Sequence, residues 1–125
     1  MLIEMNFQSD EALYMQLRNQ IILRIAMSEL QEGDTLPSVR QLAEDIGINM
    51  HTVNKAYALL RREGYLQLDR RRGAVVALSA DKVRAIEELR AEFRVLLAGA
   101  CCQEISREEI HALVDELLDE LQPQM

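Results

Sequence analysis

Five polar side chains crowd one short stretch: Asn49, His51, Thr52, Asn54 and Lys55. Each type has a use against nucleic acid. A side-chain amide can donate and accept together, which matches an adenine edge; a hydroxyl serves a base or a phosphate; an ammonium meets a phosphate as a point charge. Upstream, Ser38 and Arg40 flank Val39, and a guanidinium there can fork onto guanine or hold phosphate. Downstream, Arg70, Arg71 and Arg72 run consecutively into Gly73. Three adjacent like charges repel one another, and contact with phosphates would compensate. Taken alone, such a run is an ordinary solvated stretch.

Other chemistry finds no support. Neither His51 nor His111 has a Ser, Cys or Asp partner at a recognisable catalytic spacing. Cys101 and Cys102 are adjacent, so a bridge between them would strain the intervening peptide. No CxxC or Cys/His ligand spacing points to zinc, and no glycine-rich phosphate loop occurs. The two cysteines read as small hydrophobes on a helix. The expectation is a protein that is not an enzyme, with no metal and no cofactor.

Charge first argues against nucleic acid, since the 125 residues carry a net −7. Its distribution argues otherwise. Residues 1–78 hold nine Lys/Arg against ten Asp/Glu, a net of −1, whereas residues 79–125 hold five against eleven, a net of −6. Within 49–73, six basic residues stand against Glu63 and Asp69, a net of +4. A local basic patch can meet phosphates on an acidic chain. The asymmetry between halves suggests two functional parts. Hydrophobic residues make up 49% of the chain with no Trp, so aliphatic side chains must build the core. No stretch approaches the roughly 20 apolar residues of a membrane span. The acidic N-terminus lacks the basic start of a secretory signal, so a cytoplasmic location is expected.

The elements that would position these residues follow from periodicity. Tyr14, Leu17, Ile21 and Ile25 form one apolar face of a helix over 11–30. Gln31–Asp34 is a turn, and Thr35–Pro37 is extended because a residue before proline avoids the helical region. Ser38 is a helix N-cap for a second helix ending at Ile46, with Val39, Leu42, Ala43 and Ile46 apolar and Gly47 its stop. A third helix spans about 50–63, burying Val53, Ala56, Tyr57 and Leu60, and Gly64 ends it. Leu66 and Leu68 alternate with polar residues as in a strand, and Ala74–Leu78 returns, making a hairpin with a basic tip. Two tail helices follow. The first carries Val83, Ile86, Leu89, Phe93 and Leu96 and runs to about Ala98, with Gly99 a point of kinking or close packing. The second opens on the capping box Ser106-Arg-Glu-Glu109, presents Ile110, Leu113, Val114, Leu117, Leu118 and Leu121, and ends before Pro123.

The order helix, helix, tight turn, helix, hairpin is that of a winged helix-turn-helix, and Gly47–Asn49 has the length of its turn. Here the sequence resembles the GntR family of bacterial regulators. The matching runs are Leu13–Leu17, Gly33–Ala43, Thr52–Tyr57, Glu63–Leu66 and Arg72–Val76. The short helical tail and the run Asn49–Tyr57 resemble the YtrA-like subfamily, which lacks a large effector domain. The resemblance implies dimerisation through two C-terminal helices. It also implies DNA contact by Arg40, by Asn49, His51, Thr52 and Asn54, and by the wing tip Arg72 and Gly73. Two departures stand out. His51 occupies a position often held by Asn, which implies a different base preference. Arg71 occupies a wing position often held by Gly, which implies altered wing geometry.

The expected fold is therefore mostly α with a small β-hairpin: a winged helix-turn-helix DNA-binding domain over 1–78 and an α-helical dimerisation domain over 79–125. The expected DNA-binding residues are Ser38, Arg40, Asn49, His51, Thr52, Asn54, Lys55, Arg70, Arg71, Arg72 and Gly73. Arg40 could instead pair with Glu44 one turn on. Tyr57 sits at a core offset and is expected to pack, and His111 to lie on the surface. The expected function is that of a homodimeric regulator of double-stranded DNA, a repressor of its own operon reading an inverted repeat. The alternative is a winged helix used for protein contact, which would not need a basic recognition face.

Overall fold

In the computed structural model, residues 3–9 and 11–122 are described. They comprise α1 (Leu13–Ala26), α2 (Val39–Ile46), α3 (Met50–Arg62), β1 (Leu66–Asp69), β2 (Gly73–Val76), α4 (Lys82–Cys102) and α5 (Arg107–Leu121). The chain divides into two compact units, Met1–Ser79 and Ala80–Met125.

In the first unit, three helices and the hairpin close over one aliphatic core. Leu17 and Ile21 of α1, Leu42 of α2, Val53 and Leu60 of α3 and Val76 of β2 are fully buried. Burying a side chain of this size contributes about 1.5–3 kcal/mol. The apolar stripe of α3 is buried as its spacing requires: Val53, Ala56, Tyr57 and Leu60. On α1, Leu17 and Ile21 are buried while Tyr14 and Ile25 pack half-buried at either end.

The hairpin is antiparallel, with Leu66 opposite Val76, Leu68 opposite Ala74 and Asp69 opposite Gly73. The segment before α2 lies along the other edge of β2. The Leu36 N–H donates to the Ala74 carbonyl at 2.9 Å and the Val76 N–H to that of Asp34 at 2.8 Å, with a bridge pairing Thr35 and Val75. The extended Thr35–Pro37 thus has a use: it satisfies the outer edge of the hairpin's root.

Three elements differ from expectation. The first helix stops at Ala26, because Ser28 turns left-handed at φ +63° and the Glu29 N–H reaches back to the Arg24 carbonyl at 2.9 Å. That is a Schellman closure made without glycine. Leu68 shares a face with Leu66 but is 68% exposed, since the core ends at the hairpin's root while Leu66 is buried. The first tail helix continues through Gly99 to Cys102; a Cβ at Gly99 would meet nothing within 4 Å, so the glycine neither ends the helix nor marks a close approach in this unit.

An element not anticipated precedes α1. Residues 3–9 run as an arm held by two amide side chains of that helix. Gln16 Oε1 accepts the Asn6 N–H at 2.8 Å, and its Nε2 donates to the Asn6 and Glu11 carbonyls, both at 2.9 Å. One turn later Gln20 Oε1 accepts the Glu4 N–H, and its Nε2 returns to the Glu4 carbonyl. The arm delivers Ile3 into the core.

In the second unit, Asp81 caps α4 by accepting the Arg84 N–H at 3.2 Å. A connector with Glu104 at φ +60° leads to α5. The capping box forms in full: Ser106 Oγ accepts the Glu109 N–H and Glu109 Oε1 accepts the Ser106 N–H, each at 3.1 Å. No residue of either helix is buried. Val83, Ile86, Leu89, Phe93 and Leu96 of α4 and Leu113, Val114, Leu117 and Leu118 of α5 are all exposed. Pro123, expected past the end of α5, lies outside the described residues.

Candidate nucleic-acid interface

The turn between α2 and α3 is built from local backbone chemistry. Gly47 is left-handed at φ +71°, and its N–H and that of Ile48 both donate to the Ala43 carbonyl. Asn49 then caps α3, its Oδ1 accepting the His51 N–H at 2.7 Å. With 3.6 residues per turn, burying Val53, Ala56, Tyr57 and Leu60 forces the opposite face outward. That face carries Met50, His51, Asn54 and Lys55, all exposed, with Thr52 half-buried at its edge.

Two tethers fix how α3 is presented. The Tyr57 hydroxyl donates to the Pro37 carbonyl at 2.8 Å, binding the helix to the entry of α2. Burial pushes this phenol above its ordinary pKa, so it remains a donor. At the other end, Arg18 of α1 grips both carboxylate oxygens of Glu63, at 2.9 and 3.0 Å. Lys55 projects from the second turn of α3, its Nζ 4.0 Å from the centroid of the Tyr14 ring on α1.

At the start of α2, Ser38 is the cap, its Oγ accepting the Gln41 N–H at 3.1 Å. Arg40 is exposed, and among the described residues no ion pair joins it to Glu44; Gln41 and Asp45 make the side-chain contact one turn apart instead. The guanidinium of Arg40 is thus displayed at the N-terminal end of α2.

The wing is self-ordered. Asp69 Oδ1 accepts the backbone N–H of Arg71 at 2.8 Å and of Arg72 at 3.1 Å. Those two hydrogen bonds hold its carboxyl below the usual aspartate range. Arg72 folds back, Nε 3.5 Å from Asp69 Oδ2 and Nη1 3.3 Å from the Gly33 carbonyl. The left-handed residue is Gly73 at φ +79°. Arg71 keeps an ordinary negative φ, so its bulk is accommodated without disturbing the turn. Arg70 and Arg71 point their charge outward with no ion pair among the described residues. Asn54, Ala58 and Arg61 of α3 and Leu68 of β1 line a cleft between helix and wing.

The structure places Ser38 and Arg40 at the start of α2, Asn49, His51, Thr52, Asn54 and Lys55 at the start of α3, and Arg70–Gly73 on the hairpin of the same unit. Met50, the first residue of α3, is 45% exposed on the same face.

The pattern of the bacterial regulatory proteins of the gntR family matches residues 11–76, more than half of the chain. The chain belongs to the GntR family. The transcriptional repressor YtrA of Bacillus subtilis is 30% identical to this GntR protein over 120 residues, covering 93% of this chain and 92% of that one. Its tail is thus matched along with its helix-turn-helix. Among solved structures, a transcriptional antiterminator from Listeria monocytogenes EGD-e superposes with a TM-score of 0.89 at 28% identity, over 99% of this chain and 95% of that one. YtrA from Sulfolobus acidocaldarius, a GntR-family transcription factor, gives 0.68 at 37% identity, over 82% and 99%. The AraR DNA-binding domain in complex with operator ORX1 gives 0.52 at 25% identity, over 60% of this chain and 96% of that one. The GntR protein falls in the YtrA-like subfamily and is a DNA-binding transcriptional regulator. Among the described residues, no helix is long and apolar enough to cross a membrane.

Proposed function

We propose that this GntR protein is a homodimeric repressor that reads an inverted-repeat operator, its own upstream region included. Residues 1–78 serve as the DNA-binding domain and 79–125 as the dimerisation domain. The observation that carries the reading is the contrast between the units. The first buries its apolar stripes in its own core, while α4 and α5 bury no residue and leave most of theirs exposed. A second copy related by a two-fold axis covers such faces naturally. It also presents two recognition helices for half-sites about one helical turn apart or closer.

In this reading His51, Thr52 and Asn54 meet base edges. Asn49 donates from the amide nitrogen that its capping role leaves over. Ser38, Lys55, Arg70, Arg71, Arg72 and the Gly73 backbone hold phosphates, and Arg40 reaches guanine or phosphate. Regulation is exerted by binding, in the bacterial cytoplasm and without catalysis. The likeness to the YtrA repressor and to the AraR domain held on its operator supports this reading.

Sedimentation of the full chain is expected to give a dimer, and the double substitution Leu89→Asp with Leu117→Asp a monomer with a folded first unit. Footprinting on the upstream duplex is expected to protect two symmetry-related half-sites. A monomeric wild-type chain that still protects both would refute the tail's assignment. Absence of salt-dependent binding to duplex DNA would favour a protein partner.

A further inference from the structure

We infer that Tyr14 is a positioning residue for DNA binding, holding Lys55 in place to receive a phosphate; the inference rests on the reading of Lys55 as a phosphate anchor. A lysine carries its charge on a flexible four-carbon stem, and ordering that stem costs entropy. Here the ammonium has a seat. The ammonium lies 4.0 Å from the Tyr14 ring centroid, within the roughly 6 Å over which a ring face attracts a cation. The ring is a fixed platform, because Tyr14 packs half-buried against the core that α1 and α3 share.

The choice of partner matters for phosphate binding. A carboxylate would offset the charge that the phosphate must meet. The aromatic face leaves both the charge and the ammonium's donors in place. Among the described residues no carboxylate lies within ion-pairing distance of Lys55, whereas Arg18, Arg24, Arg72, Arg84 and Arg90 each face one. Lys55 also stands one residue beyond Asn54, at the edge of the base-facing surface, where a cation of defined position sets helix depth and register. Only the ring face is needed, so the phenolic hydroxyl is dispensable.

A double-mutant cycle on the full chain, with a duplex of the upstream region as probe, tests this. Tyr14→Leu is expected to weaken binding about two- to fivefold for each subunit, the affinity equivalent of an exposed cation–π contact, and about five- to thirtyfold for a dimer that loses two. Tyr14→Phe is expected to bind as wild type. In a Lys55→Ala background Tyr14→Leu is expected to add nothing. Equal losses in both backgrounds would mean that the ring acts through packing, and would overturn the inference while leaving Lys55 a phosphate anchor. If Lys55→Ala binds as wild type, the anchor reading falls and the positioning role with it. NMR of the wild-type chain gives a measurement independent of any variant's folding: the Lys55 ε-methylene protons are expected upfield from the ring current, and unshifted protons would also overturn the inference.

Discussion

Arg71→Ala separates the wing's charge from the wing's shape. Asp69 orders the tip through the backbone N–H of Arg71, which alanine retains, and Arg71 keeps an ordinary backbone conformation that alanine also adopts. The hairpin should therefore survive, with a stability change within about 0.5 kcal/mol as for other exposed sites. Binding should not survive intact. A lost phosphate contact lowers the slope of log affinity against log salt by about 0.9, and a symmetric dimer loses two contacts, so the slope becomes shallower by about 1.8. Between 50 and 200 mM salt, a fourfold change, the variant should lose about tenfold less affinity than wild type does. Fluorescence anisotropy with a labelled duplex, titrated at four salt concentrations, reads this directly. The loss should be alike on operator and random duplexes, because phosphates carry no sequence. A slope unchanged within error, with the hairpin intact by amide shifts, would place Arg71 in solvent and refute the argument.

Other expectations follow from the same geometry. Gly64→Ala forces a left-handed residue at φ +89° and brings its Cβ to 2.9 Å from the Ser79 Cβ. It should cost about 2–4 kcal/mol, against about 1–2 for Gly47→Ala, which has the left-handed strain but open space; equal costs by chemical denaturation would show that Ser79 yields freely. Asn49→Ala should cost about 0.5–2 kcal/mol of stability through the lost cap, while Asn49→Asp keeps the cap and affects DNA binding alone. His51→Ala and Asn54→Ala should alter preference at particular operator positions by about 1–3 kcal/mol each; a uniform loss across operator point variants would remove them from the readers. The Asp69 latch works as a carboxylate, and the hydrogen bonds it accepts depress its pKa, so its contribution is present above the unfolded aspartate value and lost as pH falls through the lower folded one. Hydrogen exchange at the Arg71 and Arg72 amides, corrected for intrinsic rates, should stay constant from neutral pH to the ordinary aspartate range and quicken only below it.

What was legible in the sequence was local chemistry. The Ser38, Asn49 and Ser106 caps, the left-handed Gly47 and the Ser106–Glu109 box each act within a few residues, so short runs specify them. The buried stripe of α3 was legible for the related reason that helical periodicity is itself local. What failed was set at a distance or by extent. Nothing periodic announces that Gln16 and Gln20 will grip Asn6 and Glu4, 10 and 16 residues away. Alternation placed Leu68 on the same face as Leu66, but only the depth of the core decides that one is buried and the other bare. Ser28 closes α1 where a glycine would have signalled the stop. Among the site residues, position was readable and orientation was not. Lys55 was expected on the polar face; its seat over Tyr14 depends on the packing of α1 against α3, which no spacing encodes.

The arm ahead of α1 bears on how such regulators can be recombined. The shared family pattern begins at residue 11, yet the core of this one is completed by Ile3, and the Gln16 amide, only 7% exposed, finds two of its three hydrogen bonds on Asn6. A chimera cut at the family boundary would carry the whole reading surface, but it would leave that amide short of partners and open a void where Ile3 sat. Either defect costs on the order of 1–3 kcal/mol, a large share of a small domain's reserve. A graft meant to transplant DNA specificity onto another tail should therefore begin at the arm, and any N-terminal fusion needs a spacer that leaves the arm free to dock.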